Sequence, residues 1–113
     1  MRDTGFGMSG MDFETAVRAK LPIMTVLVNN HVMGGYDAYM PDANEKYKSS
    51  TLGGDYTGVA KALGGYAERV EKASDVRAAL SRGIEQTQAG NPVLLEFMTR
   101  EEPVLAMANK WGM

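Results

Sequence analysis

Two short polar clusters in this 113-residue chain have the residue types and spacing to do chemistry together. The first is Asp3-Thr4-Gly5 and the second is Asn29-Asn30-His31-Val32. Aspartate and asparagine are hard oxygen donors, suited to Mg²⁺ and unsuited to a soft metal. Mg²⁺ usually binds through one or two carboxylates together with substrate phosphates. Small residues at Thr4 and Gly5 let backbone amides near a helix start approach a phosphate, which the helix dipole also favours. The clusters therefore have the makings of a diphosphate–Mg²⁺ anchor. Their spacing equally allows a plainer arrangement, in which Asp3 caps a helix and Asn29-Asn30 makes a turn.

Whether the clusters meet depends on the elements between them. Phe13, Ala16, Val17 and Leu21 have the spacing of a helix with one buried face over residues 11–21. Pro22 ends it, and residues 23–28 form a short β-branched run, the pattern of a strand covered on both sides in a parallel sheet. Asp3 and Asn30 lie 27 positions apart, about what one helix and one strand require. Ligands in open α/β sheets collect beyond the carboxyl ends of the strands, so neighbouring strand ends would bring the clusters face to face.

After Asn30 comes a loop of about two dozen residues, a length that is uncommon without a function. Its aromatics, Tyr36, Tyr39 and Tyr47, point to an ordered loop that packs on something; a surface loop is the alternative. Asp55 is placed to cap a helix whose face is Tyr56, Val59, Ala60 and Leu63, ended by Gly64-Gly65. A weak strand over 66–70 precedes Ser74, a second capping candidate, and a helix marked by Val76, Leu80 and Ile84 that ends near Gly90. Residues 92–98 read as a further buried strand. Val104, Met107, Ala108 and Trp111 mark a last short helix in a tail over 101–113. Helices that separate strands imply parallel pairing. The expected fold class is α/β, a three-layer open sandwich with a mostly parallel sheet. No strand feeds the glycine-rich start, so the fold is expected to be N-terminally truncated.

Composition narrows the function. A hydrophobic fraction of 44% and a charged fraction of 23% suit one globular domain, here residues 1–100. The net charge of −2 and the lack of a basic stripe give no support to nucleic-acid or anionic-membrane partners. The chain has no cysteine, hence no disulfide framework and no thiolate metal site. Its first residues lack the apolar core of a signal peptide, and the run 23–28 is too short to span a bilayer. A soluble, cytoplasmic protein is expected. His31, the only histidine, reads as a surface-loop residue, and the nine methionines as core and loop packing.

The stretch Asp3-Thr4-Gly5-Phe6-Gly7-Met8-Ser9-Gly10-Met11-Asp12-Phe13-Glu14-Thr15-Ala16-Val17-Arg18, then Leu21-Pro22 and a β-run into Asn29-Asn30, resembles the thiamine diphosphate enzymes. Their signature is Gly-Asp-Gly, a gap in the mid-twenties, then Asn-Asn. The similarity is to the acetolactate synthase, benzaldehyde lyase and oxalyl-CoA decarboxylase group. It continues through Asp55-Tyr56-Thr57-Gly58-Val59-Ala60-Lys61-Ala62-Leu63-Gly64-Gly65 and Asn91-Pro92-Val93-Leu94-Leu95-Glu96. The resemblance implies a thiamine pyrophosphate (TPP)-binding fold with thiamine diphosphate and Mg²⁺ as cofactors. It makes Asp3, Asn30 and the Val32 carbonyl the metal ligands. Thr4 and Gly5 would hold the diphosphate, with Met33 and Gly34 as the next cofactor contacts.

The resemblance also implies an activity: a carboligase or decarboxylase, a lyase or transferase acting on small-molecule 2-oxo acids. It places no catalytic side chain in this chain. Family cofactors sit between two domains from different subunits, so a homo-oligomer or the pyrimidine-binding domain of a partner chain is implied, and the chain alone is expected to be inactive. One departure stands out. Arg2 occupies the place of the first signature glycine, where a tight turn and close cofactor approach would favour glycine; this points to a gene fragment or a misplaced start. The alternative function is a non-catalytic assembly module, or split-gene remnant, that completes its fold on a partner chain.

Overall fold

The computed structural model describes residues 1–101, and the tail helix expected around Met107 and Trp111 lies outside them. The apolar runs form a parallel sheet of β1 (Met24–Asn29), β2 (Tyr66–Val70) and β3 (Val93–Met98), in the spatial order β1-β3-β2. Its helices are α1 (Asp3–Ser9), α2 (Asp12–Arg18), α3 (Tyr36–Tyr39), α4 (Pro41–Tyr47), α5 (Tyr56–Ala62) and α6 (Val76–Gln88). β3 lies at the centre, flanked by a strand on each side, and buries Val93, Leu94, Leu95 and Glu96 completely.

Side chains alternate across a strand, so each face of the sheet meets a different set of helices. Leu27, Ala67 and Leu94 share one face and pack with Phe6 of α1, Phe13 of α2 and Ala60 of α5. Leu95 and Met24 share the other face, against α6. A Cβ on Gly83 of α6 would come within 3.0 Å of Leu95 Cδ1 and of Met24 Cε. The helix backbone therefore lies directly on the sheet, and Arg82 Nε pins it by donating to Glu68 Oε2 of β2 at 3.0 Å. Three layers result, as the sequence implies. From β1 to β2 the chain crosses two positions by way of α5; from β2 to β3 it returns one position by way of α6 on the opposite face. Direction and face both reverse, so the two crossovers share one hand, as parallel connections do.

Several local expectations need correction. The Asp3 cluster is not a turn before a helix but the first turn of α1 itself. The helix expected over 11–21 ends earlier, at Arg18, and Lys20 takes a left-handed φ of 52°. β1 is not covered on both sides: Leu27 and Asn29 are buried, whereas Val28 is exposed. The reason is its place at the rim. Among the described residues its outer side pairs only with Met1 and Arg2: Val28 N donates to Met1 O at 2.8 Å, and Arg2 bridges Val28 in parallel.

The long loop contains α3 and α4, the latter begun by Pro41, whose fixed φ suits a first helical position. A bridge between Val32 and Thr51 closes its base. Its tyrosines do not anchor it: Tyr36, Tyr39 and Tyr47 are all exposed, Tyr39 by 84%. Asp55 does cap α5, accepting from Gly58 N at 2.9 Å, and Gly64 supplies the left-handed residue after it at φ 96°. Ser74 does not cap α6; its hydroxyl donates to Asp75 Oδ1 inside a 3₁₀ turn, Ala73–Asp75. The deeply buried positions of α6 are Ala79 and Gly83, and Ile84 is exposed, because close approach to the sheet admits only small side chains. Among the described residues no helix is long and apolar enough to cross a membrane.

Candidate functional site

The two polar clusters meet at the carboxyl end of β1. Asp3 is fully buried at the start of α1, where Oδ1 accepts the Thr4 amide at 2.9 Å. Its Oδ2 accepts the backbone amide of His31 at 3.0 Å, 28 residues away. That same amide donates to Asn29 Oδ1 at 2.9 Å. His31 thereby holds a left-handed φ of 60°, an uncommon conformation for a residue with a side chain. Its imidazole is exposed, in line with a surface-loop histidine. Asn30 is buried next to it, and its Oδ1 accepts the Val32 amide at 3.2 Å, an Asx turn. The plain features open at the sequence level, a helix-start carboxylate and an asparagine turn, are thus both present, and through the His31 amide the Asp3 carboxylate meets the loop that carries Asn30.

The remaining expected residues line the same loop. Val32 pairs with Thr51 across its base, and Met33 N donates to Ser50 O at 2.7 Å. Ser50 is buried and braced by Asn44 of α4, whose Oδ1 accepts its hydroxyl at 2.6 Å and its amide at 3.2 Å. Gly5 lies within α1, and a Cβ there would meet Met1 Cβ at 3.9 Å. Gly34 lies beside Arg2, whose Nη1 would be 3.8 Å from a Cβ at that position. Arg2 itself adopts φ −93° and ψ 162°. This is extended backbone open to any residue, so no glycine is demanded at that position.

A charged network that the two clusters did not reveal backs the loop. Asn29 Nδ2 donates to Glu96 Oε1 at 2.7 Å. On its other side the Glu96 carboxylate takes Arg69 Nε at 2.9 Å, and Arg69 Nη2 reaches Asp55 Oδ1 at 3.4 Å. Register explains the line. Glu96 stands opposite Leu27 on β1 and Arg69 on β2, so Asn29 lies two residues along on the same face. The Glu96 carboxylate holds the Arg69 guanidinium above its ordinary pKa. Tyr56 closes the apolar side, its ring 5.4 Å from that of Phe6 in an edge-to-face pair. Burial, and then the charges of Asp3 and Glu96, raise the Tyr56 phenol above its ordinary pKa. The signal available for Glu96 was a single acid inside the apolar run 92–98.

The donor set fits a hard divalent cation. Each Asp3 oxygen and the Asn30 oxygen accepts one amide and keeps further acceptor capacity. No group of three or more His, Cys, Asp or Glu that could hold a metal occurs among the described residues. A cation here would therefore need phosphate oxygens to fill its shell, as Mg²⁺ commonly does.

Residues 2–97 match the family described as thiamine pyrophosphate enzyme, C-terminal TPP binding domain. The chain belongs to the thiamine pyrophosphate enzymes. Among its relatives within or near that family is a 2-hydroxyacyl-CoA lyase of Oryza sativa subsp. japonica, 33% identical over 103 residues, covering 85% of this chain and 17% of the relative. Acetolactate synthase large subunit IlvG of Mycobacterium tuberculosis is 31% identical over 100 residues, covering 86% of this chain and 18% of that protein. The chain thus spans less than a fifth of the length of the curated relatives it matches. A solved structure, the thiamine diphosphate-dependent 4-hydroxybenzoylformate decarboxylase of Rhodococcus jostii RHA1, superposes with a TM-score of 0.74 at 20% identity. It covers 92% of this chain and 20% of that one, and shows the same fold. The α/β fold, the family and the TPP-binding domain are therefore those the signature implied.

Proposed function

We propose that this TPP-binding domain holds the diphosphate end of thiamine diphosphate through Mg²⁺, as part of an acetolactate synthase-like carboligase or decarboxylase acting on 2-oxo acids. The observation that carries the reading is the His31 amide, which lies in sequence between Asn30 and Val32 and is shared by Asp3 and Asn29. Asp3 and Asn30 supply side-chain oxygens to the cation and Val32 its carbonyl. Thr4 and Gly5 would hold the diphosphate, with Met33 and Gly34 as further cofactor contacts. When bound, the coenzyme supplies a stabilised carbanion for work on carbonyl carbons. The chain's own residues orient the diphosphate, and the burial of Asp3 and Asn30 limits competition from water for the cation.

Relatives named as a synthase, a lyase and an acetyltransferase support this class of chemistry without choosing a substrate. The proposal extends to partners: a pyrimidine-binding domain, in a homo-oligomer or on a partner chain, covers the coenzyme from the other side. The exposed Met8, on the Asp3 helix, and Met11, just after it, are in keeping with such a cover. A cytoplasmic location is part of the same proposal.

Calorimetric titration of the purified chain with thiamine diphosphate, with and without Mg²⁺, tests the site. Binding is expected to require Mg²⁺ and to vanish in Asn30→Ala. Binding that ignores the metal, or survives Asn30→Ala unchanged, would refute the ligand assignment.

A further inference from the structure

Glu96 is a fully buried carboxylate in the middle of the central strand, an expensive place for a charge unless it is paired and hydrogen-bonded. Both oxygens are engaged, one by the Asn29 side-chain amide and the other by Arg69. A strand core of this kind could carry an apolar residue at lower cost, so the position of the charge calls for a reason beyond packing. Asn29 provides it. An amide side chain can turn either its oxygen or its nitrogen toward the loop. Glu96 accepts only, so it draws the Asn29 nitrogen inward and leaves Oδ1 facing the His31 amide. That oxygen and Asp3 Oδ2 then hold the same N–H, at 2.9 and 3.0 Å. The left-handed turn at His31 sets the direction in which Asn30 and Val32 leave the strand.

We propose that Glu96, fixed by Arg69, is the positioning residue of the diphosphate–Mg²⁺ loop, acting through the orientation of the Asn29 amide. The inference rests on the proposed cofactor reading for its consequence, and on the hydrogen-bond line alone for its mechanism. Glu96→Gln keeps the volume but presents an N–H to either Asn29 or Arg69, so one contact fails. Arg69→Gln removes the fixing cation at a partly exposed position. Arg69→Lys restores it, because Glu96 is met through a single Nε contact rather than a fork.

The test is amide hydrogen exchange on the full chain, reading His31 against Leu94 in the sheet core, together with thiamine diphosphate titration in the presence of Mg²⁺. Loss of a hydrogen bond to or through a charged group predicts a rise of about tenfold in His31 exchange relative to Leu94. A similar weakening of cofactor binding is expected in Glu96→Gln, with a smaller effect in Arg69→Gln and recovery in Arg69→Lys. A carboxylate that merely stabilised the core would accelerate both amides together, and that result overturns the proposal. So does a folded Glu96→Gln with unchanged His31 exchange. Should Glu96→Gln not fold, Arg69→Gln and Arg69→Lys decide by the same ratio. If the wild-type chain binds no thiamine diphosphate while the His31 ratio still rises, the positioning stands and the cofactor reading falls.

Discussion

The carboxylate of Asp3 accepts the backbone amide of His31 across 28 residues of sequence, and so ties the first helix to the end of β1. Removing it leaves the half-buried Thr4 amide without its side-chain partner and the His31 amide with only Asn29. We expect Asp3→Ala to lower stability by about 1–3 kcal/mol, the cost of unsatisfied buried donors. Urea denaturation would read the loss, and calorimetry would show Mg²⁺-dependent cofactor binding gone as well.

The contact of α6 with the sheet depends on the absence of a side chain at Gly83. Gly83→Val would drive a branched side chain into Leu95 and Met24, both already at 3.0 Å from the Cβ position. Overpacking of this kind costs about 1–3 kcal/mol. A lower thermal midpoint without loss of the His31 exchange pattern is the expected result, since the site lies on the other face of the sheet.

The tie between α6 and β2 has a pH signature. Arg82 holds the Glu68 carboxyl below its ordinary pKa, with Tyr66 also donating to it. A depressed carboxylate contributes stability above its unfolded pKa and loses it as pH falls through the folded value. Denaturant midpoints should therefore drop below about pH 4.5, and Glu68→Gln should flatten that part of the profile. An unchanged acid limb in Glu68→Gln would show that the pair contributes nothing to it.

At alkaline pH the sign reverses. The Tyr56 phenol is raised above its ordinary pKa, first by burial and then by the charges of Asp3 and Glu96. Its contribution is complete below the unfolded pKa and is lost as pH rises through the folded one. Tyr56→Phe should accordingly make the stability loss above pH 10 shallower, as followed by circular dichroism at rising pH.

Much of this architecture was legible because the local signals agree with one another. The β-branched run ending at Val28 and the run around Leu94 and Leu95 are strands as their pattern implies, and Asp55 caps its helix as its place before Tyr56 implies. The Asp3 and Asn30 clusters converge as the strand-end argument requires. Helix α1 escaped notice because Gly5, Gly7 and Gly10 make its segment read as a turn, whereas packing of Phe6 into the core stabilises it as a helix. The buried face of α6 was misread because Leu80 and Ile84 carry the hydrophobic signal, while contact distance selects Ala79 and Gly83. Glu96 gave a weak signal. One acid in a strand looks like an outward-facing residue until register brings Asn29 and Arg69 to it.

The central strand of the sheet is also the last in sequence, with β1 and β2 each bonded to β3 and not to one another. No hairpin or local pair can therefore start the sheet. β1 and β2 must instead find β3 across long stretches of chain, a pairing in which loop closure is slow and apolar strands are open to wrong partners. The strand order itself thus makes the sheet a non-local assembly, completed only when its middle strand arrives.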